Sequence, residues 1–272
     1  MKVFIVDAFT DEAFKGNPAG VCLPDTELDS ATMQMIAKEL NLPATAFLWP
    51  SENNDIAYTI RYFTPAVELD FCGHATLASA KVILHHLNKT SVNFSANYQL
   101  TIPASSQGEN IKMAFPLYET SDFIPDKALY EAFGIENALK TKFAEELDML
   151  IIEVADKTTL INIKPDFTRA VQTSGVVKQV VITAKSQDSD YDFYSRSFCP
   201  WLGVNEDAVT GASHAVLAKY WGNILGKKEM LAYQASERGG FMRLKIISDT
   251  TLEVISNAKI IFEGRMPEHY LV

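Results

Sequence analysis

Two short stretches of the chain carry residue types that proton transfer needs. In Cys72-Gly73-His74-Ala75-Thr76 a glycine opens a run of small residues and an imidazole follows it directly. A helix starting there would offer backbone N–H groups and partial positive charge to a carboxylate or phosphate. Gly73 lets such a ligand come close, and Ala75 adds no bulk. The same positive end disfavours imidazolium, so His74 can stay neutral and exchange protons near neutral pH. A histidine at this place would equally serve to cap or pack a helix start.

The second stretch is Asp207-Ala208-Val209-Thr210-Gly211-Ala212-Ser213-His214. Asp207 stands a few residues ahead of another small-residue run. It could accept a proton or simply cap the helix, the commoner job for an aspartate there. Thr210, Gly211, Ala212 and Ser213 would bound a second anion-binding start. His214 falls inside the run and is expected to be structural. His85, His86 and His269 are assigned no chemistry. Cys72 and Cys199 invite comparison with two-thiol racemases, but their places do not correspond. One precedes a helix glycine and the other lies in a strand, so both are expected to be buried structural thiols. Glu237-Arg238-Gly239-Gly240 is expected to be a turn, either a surface one or one whose arginine meets an anion.

The elements that must carry these residues repeat. Arg61-Tyr-Phe63-Thr-Pro65 recurs 135 residues later as Arg196-Ser-Phe198-Cys-Pro200. Each copy is followed by acids, Glu68 and Asp70 or Glu206 and Asp207, and then by the glycine of a small-residue run. Shared order, offset and flanks point to an internal duplication. Residues 75–87 and 212–221 are expected to be helices. Nearly all of 75–84 is apolar or small, and a helix without a polar face is buried all round. Lys2–Phe9, Val21–Leu23, Thr45–Trp49, Ile56–Phe63, Tyr98–Ile102 and Asp192–Phe198 are among the expected strands. Asp29 or Ser30 can cap a helix carrying Met33, Ile36 and Leu40. Strands outnumber helices without βαβα alternation, so an α+β fold is expected. It should have two pseudo-symmetric halves, each a curved β-sheet or barrel wrapped around a central buried helix. The halves are expected at 1–118, completed by a tail at 260–272, and at 119–259, joined by a polar, proline-containing linker near Leu117–Asp126.

Bulk properties narrow the classes. The 272 residues are 47% hydrophobic and carry a net charge of −10, which argues against nucleic acid or an anionic membrane as partner. The 3 cysteines show neither metal spacing nor a disulfide framework, and a reducing, cytoplasmic location is expected. The apolar run after Met1 is too short for a signal peptide. No Walker loop, dinucleotide fingerprint or nucleophile elbow occurs.

The motifs together resemble the phenazine-biosynthesis PhzF-like family, within the diaminopimelate-epimerase-like fold. The matching residues are Val6–Phe9, Gly16-Asn17-Pro18-Ala19, Asn41–Phe47, Phe63-Thr64-Pro65, Cys72–Ala78, Arg196-Ser-Phe198 and Glu206–Gly211. The resemblance implies a cofactor- and metal-independent isomerase or epimerase, usually a homodimer. It would move a proton on a small carboxylate in an interdomain cleft, and the best-known family activity isomerises dihydro-hydroxyanthranilate. In that mechanism a glutamate acts as the base, assisted by a histidine and an aspartate, to which His74 and Asp207 correspond. The chain departs at the glutamate. The family usually reads Ser-Glu-Thr-Ala-Phe where this chain has Pro43-Ala44-Thr45-Ala46-Phe47. It also has Ala208 and Ala212 where proline and serine are usual. Ser213, one position on, points about 100° away around a helix. Losing a general base typically costs on the order of 10²–10⁴-fold in rate. A binding protein that keeps the carboxylate cleft without turnover is therefore the alternative expectation; for the isomerase itself, Glu68 or Asp70 is a candidate substitute base.

Overall fold

The computed structural model describes residues 1–51, 58–96, 100–173, 175–188 and 190–267. Parts of the strands expected at Ile56–Phe63 and Tyr98–Ile102, and His269 in the tail, lie outside the described residues. The fold is α+β. The chain divides into two compact units, 1–115 with 253–272, and 116–252.

The first unit begins with β1 (Lys2–Ala8) and β2 (Asn17–Leu23), then α1 (Ser30–Leu40), β3 (Ala44–Pro50), β4 (Tyr58–Phe63) and β5 (Glu68–Leu69). Helix α2 (Gly73–Lys81) follows, then β6 (Ser91–Ala96), β7 (Leu100–Gln107) and β8 (Asn110–Pro116). Asp29 caps α1 by accepting from the Thr32 N–H at 3.0 Å. Met33, Ile36 and Ala37, at helical spacing, pack with Phe47, Trp49 and Phe63. Side chains alternate along a strand, so Ala44 and Ala46 face the opposite side of β3, where α2 lies. Helix α2 starts two residues before the expected 75. Beyond Lys81 it widens into a π turn, Val82–His86, in which the Leu87 N–H reaches the Val82 carbonyl at 3.1 Å.

The second unit holds β9 (Ser121–Asp122), α3 (Lys127–Phe133), β10 (Lys140–Ala144), β11 (Met149–Glu153), α4 (Lys157–Asn162) and α5 (Phe167–Ala170). It continues with β12 (Gln179–Lys185), β13 (Phe193–Cys199), β14 (Val204–Asp207), α6 (Gly211–Leu225), β15 (Glu229–Gln234) and β16 (Gly240–Ile246). Strand β9 lies within the stretch expected to be a linker. Helix α6 runs past the expected Trp221 until Gly226 stops it in the left-handed conformation, φ 65°. The chain ends with β17 (Thr251–Ser256) and β18 (Ala258–Arg265).

Pairing follows one scheme in both units. In the first, β1–β2 is antiparallel, β2–β3 parallel, β3–β4 antiparallel, β4–β6 parallel and β6–β7 antiparallel. In the second, β10–β11, β11–β12, β12–β13, β13–β15 and β15–β16 repeat that series. The short strands β5 and β14 hang on β4 and β13, each leading into a helix. Strand β18 pairs with β1. Helix α2 lies against β18, β1, β2 and β3, so that sheet curves around it. Ala75 through Lys81 are all buried, as the apolar composition of the helix demands. Helix α6 lies against β15 and β16, and His214 through Ala218 are buried on consecutive positions. No helix among the described residues is long and apolar enough to cross a membrane.

Candidate functional site

The Arg-x-Phe-x-Pro repeat proves to be a clamp. Arg61 grips Glu68 with two hydrogen bonds of 2.7 and 2.8 Å, and its guanidinium stands 5.3 Å over the Phe63 ring. Arg196 grips Glu206 at 2.8 and 2.9 Å and stands 4.8 Å over Phe198. A guanidinium fork matches a carboxylate edge, so each arginine ties its strand to the acidic strand that precedes a helix. Arg196 also donates to the carbonyls of Leu160, Ile161 and Ile163 at 3.2, 3.3 and 2.8 Å, satisfying the end of α4. Glu68 is thus committed to an ion pair.

At the first helix start Cys72 is the N-cap residue, and its side chain makes no capping bond. Gly73 and His74, the first two helical residues, are half-buried, and Ala75 is fully buried. The Cys72 thiol lies 3.4 Å from His74 Nδ1, on one side of the ring. The turn below is rigid. The Thr76 hydroxyl donates to the Cys72 carbonyl at 2.8 Å, so the buried Tyr62 hydroxyl must be the donor in its 2.6 Å bond to Thr76. Burial raises the Tyr62 phenol well above its usual range, which keeps it neutral. Ala44 opens β3, fully buried, and contributes no titratable group.

At the second helix start the N-cap position belongs to Thr210, not to Asp207. Asp207 ends β14 half-buried, and its Oδ2 accepts the Thr210 hydroxyl at 2.5 Å. Gly211 is buried and Ala212 half-buried. Ser213 is fully buried and donates its hydroxyl to the Thr210 carbonyl at 2.9 Å. His214 is also fully buried, with Nδ1 bonded to that same carbonyl at 2.8 Å. Since a carbonyl only accepts, the proton sits on Nδ1. Burial pushes the His214 imidazole down to about 4, so it is neutral at ordinary pH.

Gln234 completes this start and carries no sequence signal. Its Oε1 accepts from the Thr210 N–H at 2.9 Å, and its Nε2 donates to the Asp207 carbonyl at 2.7 Å. The Ser236 hydroxyl donates to the Ala208 carbonyl. Cys22 and Cys199 are buried, and desolvation pushes both thiols up to about 12. Among the described residues no group of three or more His, Cys, Asp or Glu is placed to hold a metal ion. Glu237, Arg238 and Gly239 lie in the turn between β15 and β16, with Gly239 at φ 64°, and Gly240 already opens β16. Two open surface cavities of about 580 and 520 Å³, one beside α1 and one beside α3, are lined by none of the candidate residues.

Comparison with known proteins gives these helix starts a context. The sequence profile described as phenazine biosynthesis-like protein matches residues 6–264. A Halalkalibacterium halodurans protein named as an uncharacterized isomerase is 40% identical over 251 residues, covering 91% of each chain. The crystal structure of a PhzF-family phenazine biosynthesis protein from Enterococcus faecalis has 33% identity, covers 98% of each chain and gives a TM-score of 0.89. A predicted epimerase from Pseudomonas aeruginosa, 18% identical, covers 97% of this chain and 98% of its own, with a TM-score of 0.75, and shares the fold. With the match running the length of the chain through both helix starts, this protein belongs to the phenazine biosynthesis-like family, which includes proteins named as isomerases.

Proposed function

We propose that the chain is a cofactor-independent isomerase or epimerase that moves a proton on a small carboxylate, with His74 and Asp207 sharing the acid–base work. What supports this most is that two buried helices each begin without a side-chain cap, with His74 in the first turn of one and Asp207 just ahead of the other, both half-buried. Backbone N–H groups at such a start stabilise a carboxylate and the enolate charge that develops as a carbon acid loses its proton. His74 and Asp207 serve one ligand in this scheme, as the family resemblance implies. Ala44 stands where the family usually has its glutamate, and the ion pair with Arg61 makes Glu68 a poor substitute.

The bare position at Ala44 favours a second reading, a carboxylate-binding protein of the same fold without turnover. His74→Ala and Asp207→Asn separate the two. Isomerisation through these groups requires both variants to lose turnover while melting like the parent. Unchanged turnover in His74→Ala removes the proposal. Saturable carboxylate binding with no proton exchange in any variant establishes the alternative.

A further inference from the structure

We infer that Gln234 is the positioning residue for Asp207, an inference that rests on the proposed proton-transfer role of that aspartate. Gln234 is fully buried at the end of β15, and both ends of its amide are used on one loop. Oε1 takes the Thr210 N–H, whereas Nε2 serves the Asp207 carbonyl at 2.7 Å and the Thr210 hydroxyl at 3.3 Å. The donor and acceptor it meets fix which way the amide points. Thr210 in turn donates its hydroxyl to Asp207 Oδ2. One side chain therefore holds the aspartate's backbone and, through Thr210, its carboxylate.

The internal repeat shows that the fold does not need this arrangement. Ser195 and Ile60 each precede the clamp arginine, and their parallel-strand partners are Gln234 and Ala96. Ser197 and Tyr62 each follow it, and their partners are Asp207 and Leu69. The N-cap residues are Thr210 and Cys72. The half that lacks the carboxylate thus also lacks the amide and the hydroxyl that hold it. A purely architectural glutamine would have no reason to vanish together with the aspartate.

The test uses the full chain with Gln234→Leu, Gln234→Glu and Asp207→Asn, read by amide hydrogen exchange and by solvent-deuterium uptake into small carboxylates. Gln234→Leu is expected to speed exchange of the Thr210 N–H at least about tenfold and to slow uptake on the order of 10²-fold, the usual cost of a small misplacement. Substrate KM should change little. In the Asp207→Asn background Gln234→Leu should cost nothing more, because it acts through that carboxylate. A protonated glutamic acid can copy the bonds to the Thr210 N–H and the Asp207 carbonyl and an ionised one cannot, so Gln234→Glu should recover activity as pH falls. Losses that add in the double variant, or an unchanged Thr210 N–H, overturn the inference. If Gln234→Leu does not fold, Gln234→Glu carries the same test through its pH profile and its Thr210 exchange. Faster Thr210 exchange in a protein whose parent shows no uptake supports the positioning and removes the proton-transfer role instead.

Discussion

His214 makes the stability of the second unit depend on pH in a way that can be calculated. The ring is fully buried in α6, spends its Nδ1 proton on the Thr210 carbonyl at 2.8 Å, and lies 6.0 Å from the Phe193 ring. Burial lowers it from the ordinary 6.5 to about 4. As pH falls below 6.5 the unfolded chain takes up a proton here and the folded chain does not. Stability that is fully present at neutral pH is therefore lost progressively down to about pH 4. With those two values, the loss from this group is roughly 1 kcal/mol at pH 5.5 and roughly 3 kcal/mol at pH 4.5. His214→Gln removes the titration and keeps a donor, so the difference between parent and variant isolates the effect from the carboxylates common to both. The assay is urea unfolding at pH 7.5, 5.5 and 4.5, followed by fluorescence. Trp221 is a suitable reporter, stacked on Phe193 at 5.7 Å. The parent should lose roughly 2–3 kcal/mol more than the variant between pH 7.5 and 4.5. Equal losses refute the reasoning, because they mean that the ring is protonated in the fold or titrates alike in both states.

Further outcomes follow from the packing and the clamps. Arg196→Met strands a half-buried Glu206 and three carbonyls and should cost about 3–5 kcal/mol in denaturant unfolding. Arg61→Met, whose partners Glu68 and Glu27 are 36% and 45% exposed, should cost about 1 kcal/mol. Leu77→Ala opens a cavity in the central helix of the first unit, where Leu77 is 1% exposed, and should cost about 2–5 kcal/mol. Gly239→Ala puts a methyl group 2.2 Å from the Tyr233 hydroxyl at a φ of 64°, and should lower the melting temperature of the second unit.

The parts of the fold that were legible in the sequence are those with a local cause. The all-round apolar helix at 73–81, the clamp arginines at one offset and the Asp29 cap each announce themselves within a few residues. The same pairing scheme in both units agrees with the repeat. Helices α4 and α5 were not anticipated, although Asp156 and Asp166 cap them by accepting from Thr159 and Arg169. Each helix is shorter than two turns and has too few positions for a periodic apolar stripe. The π turn after Lys81 leaves the apolar pattern unchanged and shows only in which carbonyl each N–H reaches. His74 and Asp207 were visible as candidates because they border glycine-led helices. Gln234 was not, since its partners lie 24 and 27 residues away and a glutamine within a strand has no signature until β15 is laid beside β13. The inward turn of the Ser213 hydroxyl is local, a bond to the carbonyl three residues back at its own helix start, and agrees with the 100° offset expected from the sequence.

Ala44 lies on the face of β3 turned toward α2, so a glutamate placed there projects to the same side of the sheet as the helix that carries His74. Deuterium uptake in D₂O, followed by NMR over unsaturated amino and hydroxy acids including dihydro-hydroxyanthranilate, should therefore be measured for the parent and for Ala44→Glu side by side. Uptake by the unmodified protein, lost in His74→Ala, is the expected result. Uptake that appears only in Ala44→Glu, or in neither protein, contradicts proton transfer by the chain as it stands.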